Sequence, residues 1–215
     1  ASAVAQQLGA RPLSDLQQRA FDDICTQFAA HPIVLLRGVT SSGKTEVYTQ
    51  LIQRELEQGR QVLYLLPEIA LTTQITNRLG RIFGDKMGVY HSKFPDTERV
   101  EIWRKQMSAA PYPLILGVRS SLFLPYQNLG LIIVDEEHET SYKQQDPAPR
   151  YHARDAALIL AQQLGAKVLL GTATPSLESF YKARQGRYGL VEMRERFGGV
   201  ELPEIIVEDV KELKR

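Results

Sequence analysis

The stretch Ile33-Val-Leu-Leu-Arg-Gly38-Val-Thr-Ser-Ser-Gly43-Lys44-Thr45 joins a short apolar run to a G-x-x-x-x-G-K-T loop, and a helical pattern follows it. A loop of this kind needs glycines so that backbone N–H groups can curl toward phosphate oxygens. The N-terminus of the next helix adds positive potential at the same place. Gly38, Val39, Thr40, Ser41, Ser42, Gly43, Lys44 and Thr45 are therefore read as a phosphate cradle. In it Lys44 reaches the β- and γ-phosphates of ATP, and the Thr45 hydroxyl faces the Mg²⁺ that bridges them. An ordinary glycine-rich turn between strand and helix is the plainer alternative. Correct flanking on both sides favours nucleotide binding.

Working outward, the strand, loop and helix are one unit of a pattern that recurs along the chain. Apolar runs rich in Val, Ile and Leu stand at 33–37, 61–66, 87–91, 114–118, 131–134 and 167–170. Stretches with helical spacing separate them at 44–58, 72–83, 96–108, 154–164 and 175–184, the last with Pro175 suited to a first turn. Continuous apolar runs alternating with helices predict an α/β fold, with a mostly parallel central sheet flanked by helices. Right-handed crossovers then place the loops after the strands on one edge, where ligands bind. Residues 141–150 (SYKQQDPAPR) read as a polar loop, and the alternation stops again from Glu192 onward, where only a short apolar run at 205–207 recurs.

Composition bounds the function classes. With 215 residues, 43% of them hydrophobic, one substantial core is expected. A net charge of +1 gives no overall basic field, so nucleic-acid contact would come from local patches. The single cysteine, Cys25, excludes a disulfide framework or cysteine zinc cluster within these residues and fits a reducing, cytoplasmic compartment. The opening ASAVAQQLGA has no secretory pattern, and no apolar segment approaches the roughly 18 residues of a membrane span, so no membrane partner is expected.

A second motif completes the chemistry. The apolar run 131–134 ends in Asp135-Glu136-Glu137-His138. Asp135 at a strand's end can hold Mg²⁺ through its water shell, and Glu136 can orient and deprotonate an attacking water. Alone, such a run reads as a solvated acidic turn; paired with a phosphate loop, it reads as catalytic, together with Lys44.

GVTSSGKT, DEEH and GTATP (171–175), in that order, resemble motifs I, II and III of superfamily 2 helicases. LLPEIALT (65–72), YHS (90–92), GVRSSLFLP (117–125), DEEHETSYKQ and RYHARD (150–155) narrow the resemblance to the PriA family of replication-restart DNA helicases. It runs from about Leu13 over nearly the whole chain. It implies a RecA-like P-loop NTPase domain, DEAH-like in its second motif, with the ATP-binding lobe at 1–190 and a connector toward a second lobe at 191–215.

The resemblance also implies roles. Gln17, in the segment LSDLQQ, is similar to an adenine-reading glutamine and fits that role better than the adjacent Gln18; a polar residue on an amphipathic helix is the plainer alternative. Thr72, His91, Ser92, Arg119 and Ser120 follow successive strands, where similar helicases grip one DNA strand by its phosphates; each could equally be a capping or turn residue. Tyr142, Lys143, Tyr151 and His152 fall in a loop resembling one that couples strand binding to ATP hydrolysis, with a tyrosine stacking on a base. Packing at a helix start is the alternative for Tyr151 and His152. Thr172 and Thr174 would link the γ-phosphate to the second lobe, and Thr174 could also cap the helix that follows. Trp103 and the remaining tyrosines are read as core or helix-packing residues.

A full-length relative would use ATP to move 3′ to 5′ on single-stranded DNA and unwind forked DNA. Its partners would be primosome proteins, single-strand binding protein and the replicative helicase loading machinery. Zinc is expected only in family regions outside these residues. A lobe lacking the second lobe's arginines is expected to bind nucleotide weakly and hydrolyse it poorly. The rival readings are another superfamily 2 translocase similar to RecG, against which SYKQ and RYHARD argue, a nucleotide-dependent switch without DNA contact, and a non-catalytic binding module.

Overall fold

The six apolar runs that alternate with helical stretches, from 33–37 to 167–170, are strands in the computed structural model, which describes residues 12–39, 42–91 and 93–193. Thr40, Ser41, Ser92 and the 194–215 part of the connector lie outside the described residues. The strands are β1 (Ile33–Gly38), β2 (Gln61–Leu65), β3 (Met87–Tyr90), β4 (Leu114–Gly117), β5 (Leu129–Asp135), β6 (Lys167–Thr172) and β7 (Gly189–Met193). The helices are α1 (Asp15–Ala30), α2 (Lys44–Glu57), α3 (Thr73–Phe83), α4 (Asp96–Met107), α5 (Ala153–Leu164) and α6 (Leu177–Arg184).

The sheet has the order β3-β4-β2-β5-β6-β1-β7. All its pairings are parallel. Alternate residues of each strand divide between two apolar layers. Val34, Leu36, Tyr64 and Ile133 pack with Ile24 of α1, Val47 and Ile52 of α2 and Leu79 of α3. Leu35, Leu63, Ile132 and Leu170 face the other way, toward Ala157 and Ala161 of α5 and Ala183 of α6. Helices on both faces explain the uninterrupted apolar runs, because neither face of the sheet meets water. Each fully buried Leu, Ile or Val contributes about 1.5–3 kcal/mol relative to exposure.

Parallel strands bring the loops after β1, β2, β3, β4, β5 and β6 to one edge. The phosphate loop follows β1 and the acidic turn follows β5, with β6 between them. The loops read as strand-gripping follow β2, β4 and β3 on the other half of that edge. At a strand spacing of about 4.8 Å, β1 and β4 stand ~20 Å apart.

Several expectations change. β7 runs beside β1 through Met193, so the division drawn at residue 190 falls inside a strand; the alternating burial of GLVEM marks an edge strand in place of a continuous apolar run. α1 forms where only a short motif was read, started by a capping box between Ser14 and Gln17. α6 begins at Leu177 with Ser176 as its cap, which leaves Pro175 before the helix and not in its first turn. Of the core and helix-packing readings of Trp103 the second holds: it is 42% exposed and points its indole N–H at the Met107 sulfur of its own helix. Among the described residues no helix is long and apolar enough to cross a membrane.

Candidate active site

β1 ends at Gly38 and α2 begins at Lys44, so the intervening loop turns directly around a helix N-terminus. Gly43, the cap, has φ 81°, a left-handed conformation that glycine adopts freely. A Cβ there would stand 2.1 Å from the Gln17 Nε2. The Lys44 ammonium donates to the Gly38 carbonyl at 3.1 Å and lies 3.7 Å from Glu136 Oε1. Ser42 Oγ is buried without a hydrogen-bond partner. Ser42, Gly43, Lys44, Thr45, Asp135 and Glu136 share a cavity of ≈ 330 Å³ with Glu46 and Arg78, at the lower end of small-molecule sites. A polar, lysine-bearing cavity at a helix N-terminus fits a phosphate chain with a divalent cation.

Asp135 closes the cavity from β5. Its Oδ1 accepts from the Tyr48 hydroxyl and its Oδ2 from the Tyr64 hydroxyl, both at 3.1 Å, and the Glu136 N–H also donates to Oδ1 at 3.1 Å. Gly171 stands opposite Asp135 in β6. A Cβ on Gly171 would meet the Tyr48 oxygen at 1.8 Å, so this glycine makes room for the tyrosine that holds the carboxylate.

Loss of solvation pushes the Asp135 carboxyl from its ordinary 3.8 up to about 6; the Glu136 carboxylate adds to the rise, and Lys44 and the two hydroxyls oppose it. The folded protein therefore holds this proton more tightly than the unfolded chain. Stability should fall as pH rises from about 4 to about 6, by at most ~1.4 kcal/mol per pH unit. Denaturant unfolding across that range, compared with Asp135→Asn, checks this. The asparagine variant lacks the pH step, and equal pH slopes in the two proteins would contradict it.

Glu136 has φ 47°, a left-handed backbone that non-glycine residues adopt only where the surroundings hold it. The Glu137 N–H donates to the Gly171 carbonyl at 3.1 Å and the Glu139 N–H to the Glu136 carbonyl at 2.9 Å. The Glu136 side chain lies between Lys44 and His138, whose Nδ1 is 3.6 Å from Oε2. His138 Nδ1 also meets Thr172 Oγ1 at 2.8 Å, and its Nε2 lies 3.4 Å from Thr174 Oγ1. Thr172 Oγ1 accepts from the Thr174 N–H at 3.1 Å. The structure thus joins the acidic turn to the threonine pair through one imidazole. Thr174 does not cap α6, because Ser176 Oγ takes that place, accepting from the Ser179 N–H at 3.2 Å.

Gln17 reaches the phosphate loop and Gln18 does not. The Gln17 amide donates to the Gly43 carbonyl at 3.3 Å and accepts from the Ser14 N–H at 2.9 Å, whereas Gln18 bonds Asp22 on its own helix.

The other candidates spread along the edge. Thr72 is exposed and caps α3, accepting from the Ile75 N–H at 3.4 Å. His91 Nδ1 accepts from the Lys93 N–H at 2.9 Å. Arg119 Nη1 donates to the carbonyls of Ser141 (3.0 Å) and Lys143 (3.3 Å), and its Nη2 lies 3.5 Å from Glu68. It therefore pins the polar loop to the loop after β2. Ser120 Oγ is buried without a hydrogen-bond partner. Lys143 donates to the Arg150 carbonyl and pairs by its backbone with His152, which stands at the start of α5 without a side-chain capping bond.

Tyr142 corrects the stacking expectation. It is 1% exposed, and its hydroxyl, 2.6 Å from the Asp135 carbonyl and 3.2 Å from that of Leu65, fastens the loop to the ends of β5 and β2. Tyr151 is half-buried, its ring edge-to-face with Phe123 at 5.1 Å, and Phe123 is 55% exposed. Sequence reasoning also missed Tyr48, Tyr64, Arg78 and Glu137. Only Glu137, inside the acidic motif, carried a signal that could have found it.

Comparison with known proteins gives a consistent picture. The profile of the DEAD/DEAH box helicase family matches residues 14–183. The chain is 42% identical over 203 residues to the replication restart protein PriA of Bacillus subtilis, covering 94% of this chain and 25% of that protein. It is 43% identical over 202 residues to PriA of Haemophilus influenzae, covering 90% of this chain and 27% of that protein. It thus spans about a quarter of the length of these curated relatives. Among solved structures, RecG bound to a three-way DNA junction aligns with TM-score 0.63 at 20% identity, over 89% of this chain and 25% of that one. The helicase MrfA bound to DNA aligns with TM-score 0.60 at 18% identity, over 86% and 27%. These likenesses make the fold RecA-like.

Proposed function

The chain belongs to the DEAD/DEAH box helicase family, and on that premise we propose that it is the ATP-binding motor lobe of a replication-restart DNA helicase. One observation carries the reading. The phosphate loop, the Asp135-Glu136 turn and the candidate strand-gripping loops share one edge of one sheet, with Arg119 and Tyr142 fastening the second group to the first. The 42–43% identity to PriA over at least 90% of the chain supports replication restart over other translocases. The likeness to RecG is one of fold alone.

In this reading the 38–45 loop and Lys44 hold the β- and γ-phosphates, and Gln17 braces that loop beside the adenine. Thr45 and Asp135 would hold Mg²⁺, the latter through water, and the ion would neutralise charge between the phosphates. Glu136 orients the attacking water and accepts its proton; His138 passes the state of this turn to Thr172 and Thr174. Thr72, His91, Ser92, Arg119 and Lys143 contact phosphates of single-stranded DNA without reading sequence, whereas the Ser120 hydroxyl is buried and leaves that set. The lobe extends through β7, and arginines of a second lobe complete the cleft.

Hydrolysis of ATP by the protein at its full natural length, with and without single-stranded DNA, tests this. Stimulation by the strand is expected, together with unwinding of duplexes bearing a 3′ tail and not a 5′ tail. Hydrolysis indifferent to DNA would contradict the motor reading.

A further inference from the structure

The family's name spells its acidic box with alanine third, Asp-Glu-Ala, but this chain has Glu137 there. Glu137 is 0% exposed and takes four donors. The Ser176 N–H donates to it at 2.7 Å and the Ser176 hydroxyl at 3.1 Å. The Ser179 hydroxyl follows at 2.9 Å and Arg154 Nη1 at 3.1 Å. A buried carboxylate is costly unless so matched, and a small apolar residue would fill the position without that demand.

What the carboxylate adds is connection. Arg154, 7% exposed, stands in the first turn of α5, directly after the polar loop whose other end Arg119 holds at Ser141 and Lys143. Its guanidinium also bonds Ser176 Oγ at 3.0 Å and Glu178 at 2.9 Å, both at the start of α6. Glu137 is therefore the point where the acidic turn, the exit of the polar loop and the segment after Thr172 and Thr174 meet. It is also the residue next to Glu136, whose left-handed backbone must be held from its flanks.

We infer that Glu137 and Arg154 are a pair of positioning residues that carry the arrangement of the 141–152 loop to the Glu136 backbone, so that strand binding at the loop sets the rate of hydrolysis. The inference rests on the motor function proposed above. A charged, planar guanidinium suits this task because its several donors fix direction as well as distance. A lysine keeps the charge and loses the fork.

The test uses the protein at its full natural length with Glu137→Gln and Arg154→Lys, measuring ATP hydrolysis with and without single-stranded DNA. In both variants the stimulation ratio should fall at least fivefold, while the KM for ATP and the Kd for the strand stay within twofold of wild type. A merely structural role would move KM, Kd and rate together, and that result, or a ratio within twofold of wild type, overturns the inference. Arg154→Lys leaves the buried charges balanced and decides the matter if Glu137→Gln does not fold. A wild type without stimulation overturns the proposed function and the inference with it. A stimulated wild type with equally stimulated variants overturns the inference alone.

Discussion

Lys44→Ala lowers the affinity for ATP by about 10²-fold and leaves binding of single-stranded DNA in place. The Lys44 ammonium sits at the first turn of α2, 3.1 Å from the Gly38 carbonyl and 3.7 Å from Glu136, facing the cavity that Ser42 and Thr45 also line. A hydrogen bond to a charged group is worth about 1.5–3 kcal/mol. At about 1.4 kcal/mol per tenfold, its loss alone spans roughly one to two decades of affinity. Removing the cation also leaves Glu136 facing the phosphates with one less opposing charge. The candidate strand contacts follow β2, β4 and β3 on the other half of the sheet edge, three to five strand spacings or ~14–24 Å from β1. Titration of a fluorescent ATP analogue and of labelled single-stranded DNA into the same variant checks both halves. Unchanged nucleotide affinity would refute the phosphate cradle, and loss of both activities would point to misfolding or to a shared site.

Glu136→Gln gives the second large effect, of a different kind. Glutamine keeps the shape and hydrogen-bonding reach of the side chain but cannot accept a proton from water. Hydrolysis should fall about 10²- to 10⁴-fold, the usual contribution of a positioned general base, with ATP affinity changed little. The variant should trap bound ATP in the presence of DNA. Single-turnover measurement on preformed complexes separates the chemical step from binding, and a rate within threefold of wild type would move the base elsewhere. The same substitution also removes the charge that Glu136 sets against Lys44 at 3.7 Å and beside His138 at 3.6 Å.

How much of this was legible in the sequence differs from residue to residue for physical reasons. β2, β4, β5 and β6 could be read because burial on both faces leaves an uninterrupted apolar signature. β7 escaped because its burial alternates as an edge strand's does, over only five residues. The phosphate loop and the acidic turn were legible because their chemistry demands fixed residue types at fixed spacing. Tyr142 was misread because an aromatic in a polar loop looks available for stacking. Its burial depends on carbonyls of Leu65 and Asp135, and nothing in a local window brings Leu65 near. Tyr48 and Tyr64 were invisible for the same reason: they meet at Asp135 from α2 and β2, far apart in sequence. Thr174 and Ser176 compete as caps with nearly equal local credentials. The competition is settled by Glu137 and Arg154, which hold Ser176 from other elements. Local motifs thus placed the chemistry, and tertiary partners decided which neighbouring side chains support it.

The most direct test of the nucleotide site is an experimental structure of the protein with Mg²⁺ and a non-hydrolysable ATP analogue. The β- and γ-phosphates are expected within the 38–45 loop in contact with Lys44, with the metal between Thr45 and the water shell of Asp135 and the γ-phosphate facing Glu136. A triphosphate bound away from that loop, or a metal out of reach of Asp135, would contradict it.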